Sequence, residues 1–275
     1  MAEVTLTAAL RTNLLSLQRT QSLLDLTQNR LATGKKVNSA LDNANAFFAS
    51  QSLTNRANDL SRLLDGIGQG VQVLKAADQG ITSITSFLEQ MQAVAQEALD
   101  QANAAGGGTF APVDQVTLEA SYDELITQLD SIAGDSGYRG TNLLDSGDLT
   151  VTFNEDGTST LTVSGVDFTT TGLAISAADF SDATQAQAAL DEISAALTTV
   201  RGQARSFGTN LNIIQTREGF TKSLINTLKE GSDKLVLADN NEEGAKLLSL
   251  QTAQQLGITS LSLASQAQQS VLRLF

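Results

Sequence analysis

Leucines recur every seventh residue near the amino end of the chain, at Leu10, Leu17, Leu24 and Leu31. Leu14, Gln21 and Gln28 each follow one of the first three by four positions. The spacing predicts an alternating seam along one helix, from about residue 5 to residue 33. At 1.5 Å per residue that helix is roughly 40 Å long. Leu15, Leu23 and Leu26 lie off the seam and widen its apolar surface. Gly34 ends the pattern where a left-handed cap is expected, and the run Gly34-Lys35-Lys36-Val37-Asn38-Ser39 reads as a connector.

A second helical stretch runs from about residue 45 to residue 101. Leu53, Ala57, Leu60, Leu64, Ile67, Val71 and Leu74 form its first seam, and Ala77, Ile81, Ile84, Leu88, Met91 and Ala95 continue it after a phase slip. Gly66, Gly68 and Gly70 each weaken a helix by about 1 kcal/mol relative to alanine, which leaves continuity through the middle open. A shorter helix is expected from about 112 to 133, with Pro112 tolerated in its first turn. Between Leu149 and Ile175 the period changes to two. Leu149–Phe153 and Thr160–Val163 flank Asn154-Glu155-Asp156-Gly157, the signature of a hairpin with glycine in its turn. A long helical pattern returns from about 181 to 231, and Asp239 and Asn240 supply a cap before a last helix.

That last helix carries no Asp, Glu, Lys or Arg from Leu247 through Leu272. Its glutamines, among them Gln251, Gln254, Gln255, Gln266, Gln268 and Gln269, exclude a lipid-spanning segment and hence membrane insertion. A helix apolar on more than one face must be covered on more than one side. One chain can do that only in part, so the pattern points to a subunit covered by copies of itself. Pairing like with like gives a mainly α fold: a long antiparallel coiled-coil-like bundle with one small β-hairpin region at about 146–178. Each terminal helix, rich in Gln and Ser, is marginal alone and is expected to need partners.

Charge sharpens this division. The chain has 275 residues and a net charge of −13. Residues 114–192 hold 15 acidic side chains and one basic one, Arg139, while the flanking parts are nearly neutral. The acidic middle is expected to face water, and the overall balance disfavours nucleic acid as a partner. With no Cys and no His, disulfides, the usual zinc sites and His-based catalysis drop out, so no enzyme activity and no cofactor is expected. The amino end, Met1-Ala2-Glu3-Val4-Thr5, lacks the features of a cleaved secretory signal.

The runs 31–44, 138–144 and 254–275 resemble bacterial flagellin. The first is Leu31-Ala32-Thr33-Gly34-Lys35-Lys36-Val37-Asn38-Ser39-Ala40-Leu41-Asp42-Asn43-Ala44, similar to the family's connector after its first helix. The second, Tyr138-Arg139-Gly140-Thr141-Asn142-Leu143-Leu144, is similar to the run before its β-structure. The most specific is the carboxyl end, Gln254-Gln255-Leu256-Gly257 with Gln266 through Phe275, which matches the family's Gln-Leu-Gly and Gln-x-x-Gln-x-Val-Leu pattern. The resemblance implies a structural subunit of the flagellar filament that is exported through the type III channel and polymerises outside the cell into a helical tube for motility. It implies two layers only. Residues 1–44 with 236–275 would form the inner tube, D0, and residues 45–235 the surrounding layer, D1.

The resemblance also implies roles for particular residues. Assembly seams would use Leu10, Leu14, Leu17, Leu24, Leu31, Leu256, Leu263, Val271, Leu274 and Phe275, and the layer connector Gly34, Lys35, Lys36, Asn38 and Asp42. Its partners would be other copies, the export apparatus with a chaperone, the filament cap and the hook–filament junction proteins. Two departures stand out. The chain reads Arg273-Leu274-Phe275 where many relatives end in Leu-Leu-Arg, and Gln90, Gln92 and Ala93, beside Val94, replace charges that receptor-stimulating flagellins carry. Weak recognition by the innate-immune flagellin receptor is expected. The competing readings are a hook–filament junction protein and a surface adhesin built on the same scaffold.

Overall fold

The computed structural model describes residues 8–104 and 112–272. Along them run α1 (Ala8–Thr33), α2 (Ala44–Ala104), α3 (Pro112–Asp135), β1 (Leu149–Thr152), β2 (Thr160–Val163), α4 (Ala183–Val236) and α5 (Asn240–Leu272). The architecture is mainly helical with one small antiparallel sheet, as the pattern predicts. The chain divides into two units, one of the described residues of Met1–Ala57 and Asn226–Phe275, the other Asn58–Ile225.

In the first unit α1 packs against α5. Beside them the start of α2 meets the end of α4 through hydroxyls, with Ser50 Oγ 2.8 Å and Thr54 Oγ1 2.9 Å from Ser232 Oγ. Small side chains let these helices approach closely, and Leu53 reaches Gly231, where a Cβ would lie 3.5 Å away. The terminal segments, each expected to need a partner, thus give each other one along a single stripe.

The second unit holds the main apolar core. Ile67, Val71, Leu74, Ala77, Ile81, Ile84, Leu88, Met91 and Ala95 of α2 are all buried in it. The two steps of three at Leu74 and Ala77 are a local overwinding that the helix absorbs without a break. Continuity through the glycines has a tertiary origin. A Cβ at Gly70 would lie 2.7 Å from Val151 Cγ2 of the hairpin, so glycine there admits the sheet; Gly66 and Gly68 face open space.

The hairpin pairs Leu149 with Val163 and Thr152 with Thr160. Val151, Phe153 and Val163 turn into the core, while the hydroxyls of Thr150 and Thr162 meet at 3.3 Å on the outer side. Gly157 turns the chain with φ +69°. The period of two does not continue as strand beyond Val163. In residues 164–182 backbone pairing to another segment is confined to a short bridge, where Val166 and Phe168 donate to Leu143 O and Leu144 O, and other donors find side-chain acceptors. Asp148 accepts from Gly165 at 3.1 Å, Asp130 from Thr170 at 2.7 Å and Glu192 from Ser176 at 2.8 Å. Asp123 accepts from Ala178 at 3.1 Å and Glu119 from Phe180 at 3.0 Å. The acidic middle is therefore more than a solvated face. Five of its carboxylates hold an irregular segment in place.

The glycines of α2 divide by what surrounds them. Gly68→Ala gains helix propensity at no steric cost and should stabilise the chain by up to about 1 kcal/mol. Gly80→Ala would drive its Cβ into Ser136 and to 2.5 Å from Leu144 Cδ1. It should destabilise by about 1–3 kcal/mol, as overpacking does. Denaturant titration of the two variants checks the opposite signs.

Candidate assembly site

The α1 seam that meets α5 differs in phase from the expected one. Leu10 and Leu24 are buried and Leu17 and Leu31 half-buried, but the positions between them are Asn13, Thr20 and Thr27. Leu14, Gln21 and Gln28 are exposed instead. On α5 the covered stripe is Glu243, Leu247, Leu250, Gln254, Gly257, Leu261 and Ala264, again at spacings of three and four. Both stripes fit antiparallel helices whose closest contacts are made by small or polar groups.

Three contacts fix the register. A Cβ at Gly257 would lie 2.6 Å from Leu17 Cδ2, so glycine lets that leucine seat against the α5 backbone. Gln254 Nε2 donates to Gln21 Oε1 at 2.6 Å. Arg30 Nη1 donates to Glu243 Oε1 at 3.1 Å, with the Glu243 side chain only 6% exposed in the first turn of α5. An anion is favoured at that helix end. The bond is single, since Arg30 Nε and Glu243 Oε2 are buried without partners among the described residues. Sequence reading missed Arg30 and Glu243. The signal that could have found them is the three-then-four phase counted from Leu10, which places Asn13, Thr20 and Thr27 opposite α5 and Leu31 next in line, with Arg30 beside it one turn beyond Thr27.

Leucine exposure runs the other way. Leu14 is 40% exposed and Leu256 and Leu263 are 66% and 62% exposed, each on a face turned from the shared seam. Leu15, Leu23, Leu26, Leu248 and Ile258 are also exposed. Val271 lies in the last turn of α5; Leu274 and Phe275 lie outside the described residues.

The connector closes between the helices of this unit. Gly34 takes φ +68°, which turns the chain out of α1. Its carbonyl accepts from Ala238 N–H at 2.9 Å, and Lys36 N–H donates to Val236 O at 2.8 Å. Two connectors, 34–37 and 236–238, are thus joined by backbone bonds. Lys35 pairs with Leu237 in the same short bridge. Lys36 Nζ reaches Lys234 O at 3.0 Å. The Asp42 carboxylate accepts from the N–H groups of Asn38 and Ser39, both at 2.9 Å. Asn38 Nδ2 reaches back to Thr33 Oγ1 at 3.1 Å, and Asn43 Oδ1 caps α2 by accepting from Ala46 N–H at 3.0 Å. All five connector residues singled out in the sequence are brought together here, apart from the leucine faces.

In the second unit Gln90, Gln92 and Ala93 are exposed on α2, with Val94 half-buried and Leu88 and Met91 in the core behind them. No helix among the described residues is long and apolar enough to cross a membrane.

Comparison with known proteins places these features in a family. The model of the bacterial flagellin N-terminal helical region matches residues 4–148. Flagellin FljO of Caulobacter vibrioides is 30% identical over 94% of this chain and 93% of that protein. Flagellin FljN of the same organism is 33% identical with the same coverage of both chains. A flagellin of Brucella melitensis is 28% identical over 100% of this chain and 99% of its own length.

The Asp42 contacts predict a pH response. Its pKa is lowered, first by the N–H of Asn38 and then by that of Ser39. A depressed folded-state pKa means that the contribution is complete above the unfolded-state value and is lost as pH falls through the folded-state one. Amide protection of Asn38 and Ser39 in hydrogen exchange should fall on acidification below the usual carboxylate range. Asp42→Asn should show the weaker protection already at neutral pH; unchanged protection in that variant would remove Asp42 from this role.

Proposed function

The chain belongs to the bacterial flagellin family, and from that premise we propose how this structural subunit of the flagellar filament is assembled. The observation that carries the reading is the leucine surface that α1 and α5 leave exposed after pairing with each other, from Leu14 and Leu26 to Leu256 and Leu263. Such a surface is covered at low cost by copies of the same helix pair. Residues 1–44 and 236–275 would form the inner tube and residues 45–235 the layer around it. Leu10, Leu17, Leu24 and Leu31 serve the intramolecular seam, and Leu14, Leu256 and Leu263 meet neighbouring copies, with Val271, Leu274 and Phe275 extending that contact.

The connector of Gly34, Lys35, Lys36, Asn38 and Asp42 would set the path of the chain between the layers. The chain would leave the cell through the flagellar export apparatus, attended by a chaperone. It would join the filament beneath its cap, above the hook–filament junction proteins, and remain extracellular. The acidic side chains of 114–192 that make no backbone contacts would hydrate on the outer wall.

Leu263→Asp tests the inner contact. Leu263 is exposed in the single chain, so the variant should keep its fold while losing polymerisation, because each added subunit repeats an unpaired buried charge. Electron microscopy of concentrated protein reads this directly. Long tubes formed by the variant would show that Leu263 lies outside the subunit contacts.

Gln90, Gln92 and Ala93 present no charge at the segment that the innate-immune flagellin receptor reads in other members. Purified monomer should activate a receptor reporter weakly. Strong activation at low concentration would place the recognised surface elsewhere.

A further inference from the structure

In the second unit two helix faces carry exposed apolar side chains beside charges of opposite sign. On α4, Thr209, Ile213 and Arg217 line one shallow groove. On α3, Val116, Ala120 and Glu124 line another. All six are exposed, with Val116 63% and Ile213 41% accessible. Each trio follows the same spacing of zero, four and eight, a single ridge along its helix.

The two ridges complement each other position by position. Laid side by side in parallel, Thr209 stands opposite Val116, Ile213 opposite the small Ala120, and Arg217 opposite Glu124. Arg217 stacks over the Phe153 ring at 5.1 Å, which holds the guanidinium in place. Glu124 Oε1 accepts from Gln128 at 2.9 Å, and no basic side chain pairs with it among the described residues. The α3 ridge begins with the apolar Val116 and the α4 ridge with Thr209, whose hydroxyl is turned back to Arg205 O, and each ends in a charge that the opposite ridge matches.

The ridges cannot meet within one chain. Glu119 and Asp123 of α3 bond to Phe180 and Ala178, just ahead of the start of α4 at Ala183. Ile213 is therefore on the order of 40 Å further along α4, at 1.5 Å per residue. The direction also fits two copies in one orientation. The end of α3 lies beside Gly80 of α2, and Arg217 of α4 reaches the hairpin that covers Gly70. Both helices thus run against α2 and parallel to each other.

We propose that the α3 ridge of one copy docks in parallel on the α4 ridge of the next, with Glu124 paired to Arg217 and Ile213 seated over Ala120. The two faces differ, so the contact is heterologous and leaves a free ridge at each end for a further copy. This rests on the self-assembly reading above and names the faces that meet.

The chain has no cysteine, which makes cross-linking specific. The double variant Ala120→Cys, Ile213→Cys should be polymerised and then oxidised. A disulfide needs Cα atoms within about 7 Å, so a bridge between these positions must join two copies. The expected result is a ladder of dimer, trimer and higher species on a non-reducing gel. Filaments without a ladder would overturn the proposal while leaving self-assembly intact; a wild-type chain that stays monomeric at every concentration would overturn both. Should the cysteine variant fail to polymerise, charge exchange replaces it. Glu124→Arg and Arg217→Glu should each raise the critical concentration about tenfold, and the two together should restore it. A double variant no better than either single one would refute the pairing.

Discussion

A helix that is apolar on several sides cannot satisfy all of them against one partner, and the first unit is organised around that limit. The contact between α1 and α5 uses one stripe of each helix. That stripe does not hold most of the leucines: Asn13, Thr20 and Thr27 alternate with them on α1, and Gln254, Gly257 and Ala264 sit on α5. Burial at about 25 cal/mol per Å² would favour turning Leu14, Leu256 and Leu263 inward instead. The subunit seam is narrow and partly polar, and the broad leucine faces are turned outward.

A narrow seam needs something to set its register. Heptad leucines alone permit a slip of one repeat, since each leucine meets an equivalent site seven residues on. Polar and steric contacts have no such equivalents. The amide pair Gln21–Gln254, the seat of Leu17 on Gly257 and the Arg30–Glu243 bond each occur once along the helices. Buried polar groups are weak contributors to stability and are best attested as devices that fix register, and these contacts have that form. The backbone bridge between residues 34–37 and 236–238 pins the same alignment from the connector end.

Much of this was legible in the sequence, for identifiable reasons. Helix period, the left-handed Gly34, the Asp239 cap and the hairpin turn at Gly157 depend on local chemistry, and each lies where the residues imply. Continuity of α2 did not follow from local propensity, because the reason for Gly70 is Val151, a residue far along the chain. The phase of the α1 seam does not follow from leucine spacing, because half of the leucines in α1 are exposed. In this helix leucine lies on the exposed faces as often as on the seam. The carboxylates that hold 164–182 were read as solvated, since composition gives their number and not the unpaired N–H groups they face.

The backbone bridge and the helix seam join residues at opposite ends of the chain: Arg30 and Glu243 are 213 positions apart, and Gln21 and Gln254 are 233. Closing so long a loop comes late, because its entropy must be met before any contact offsets it. The outward leucine faces are built on that closure. Without α5 beside it, α1 lacks the paired platform that displays the leucines in order. Sequence separation acts here as a clock: the paired face is complete only when the final helix has joined the first.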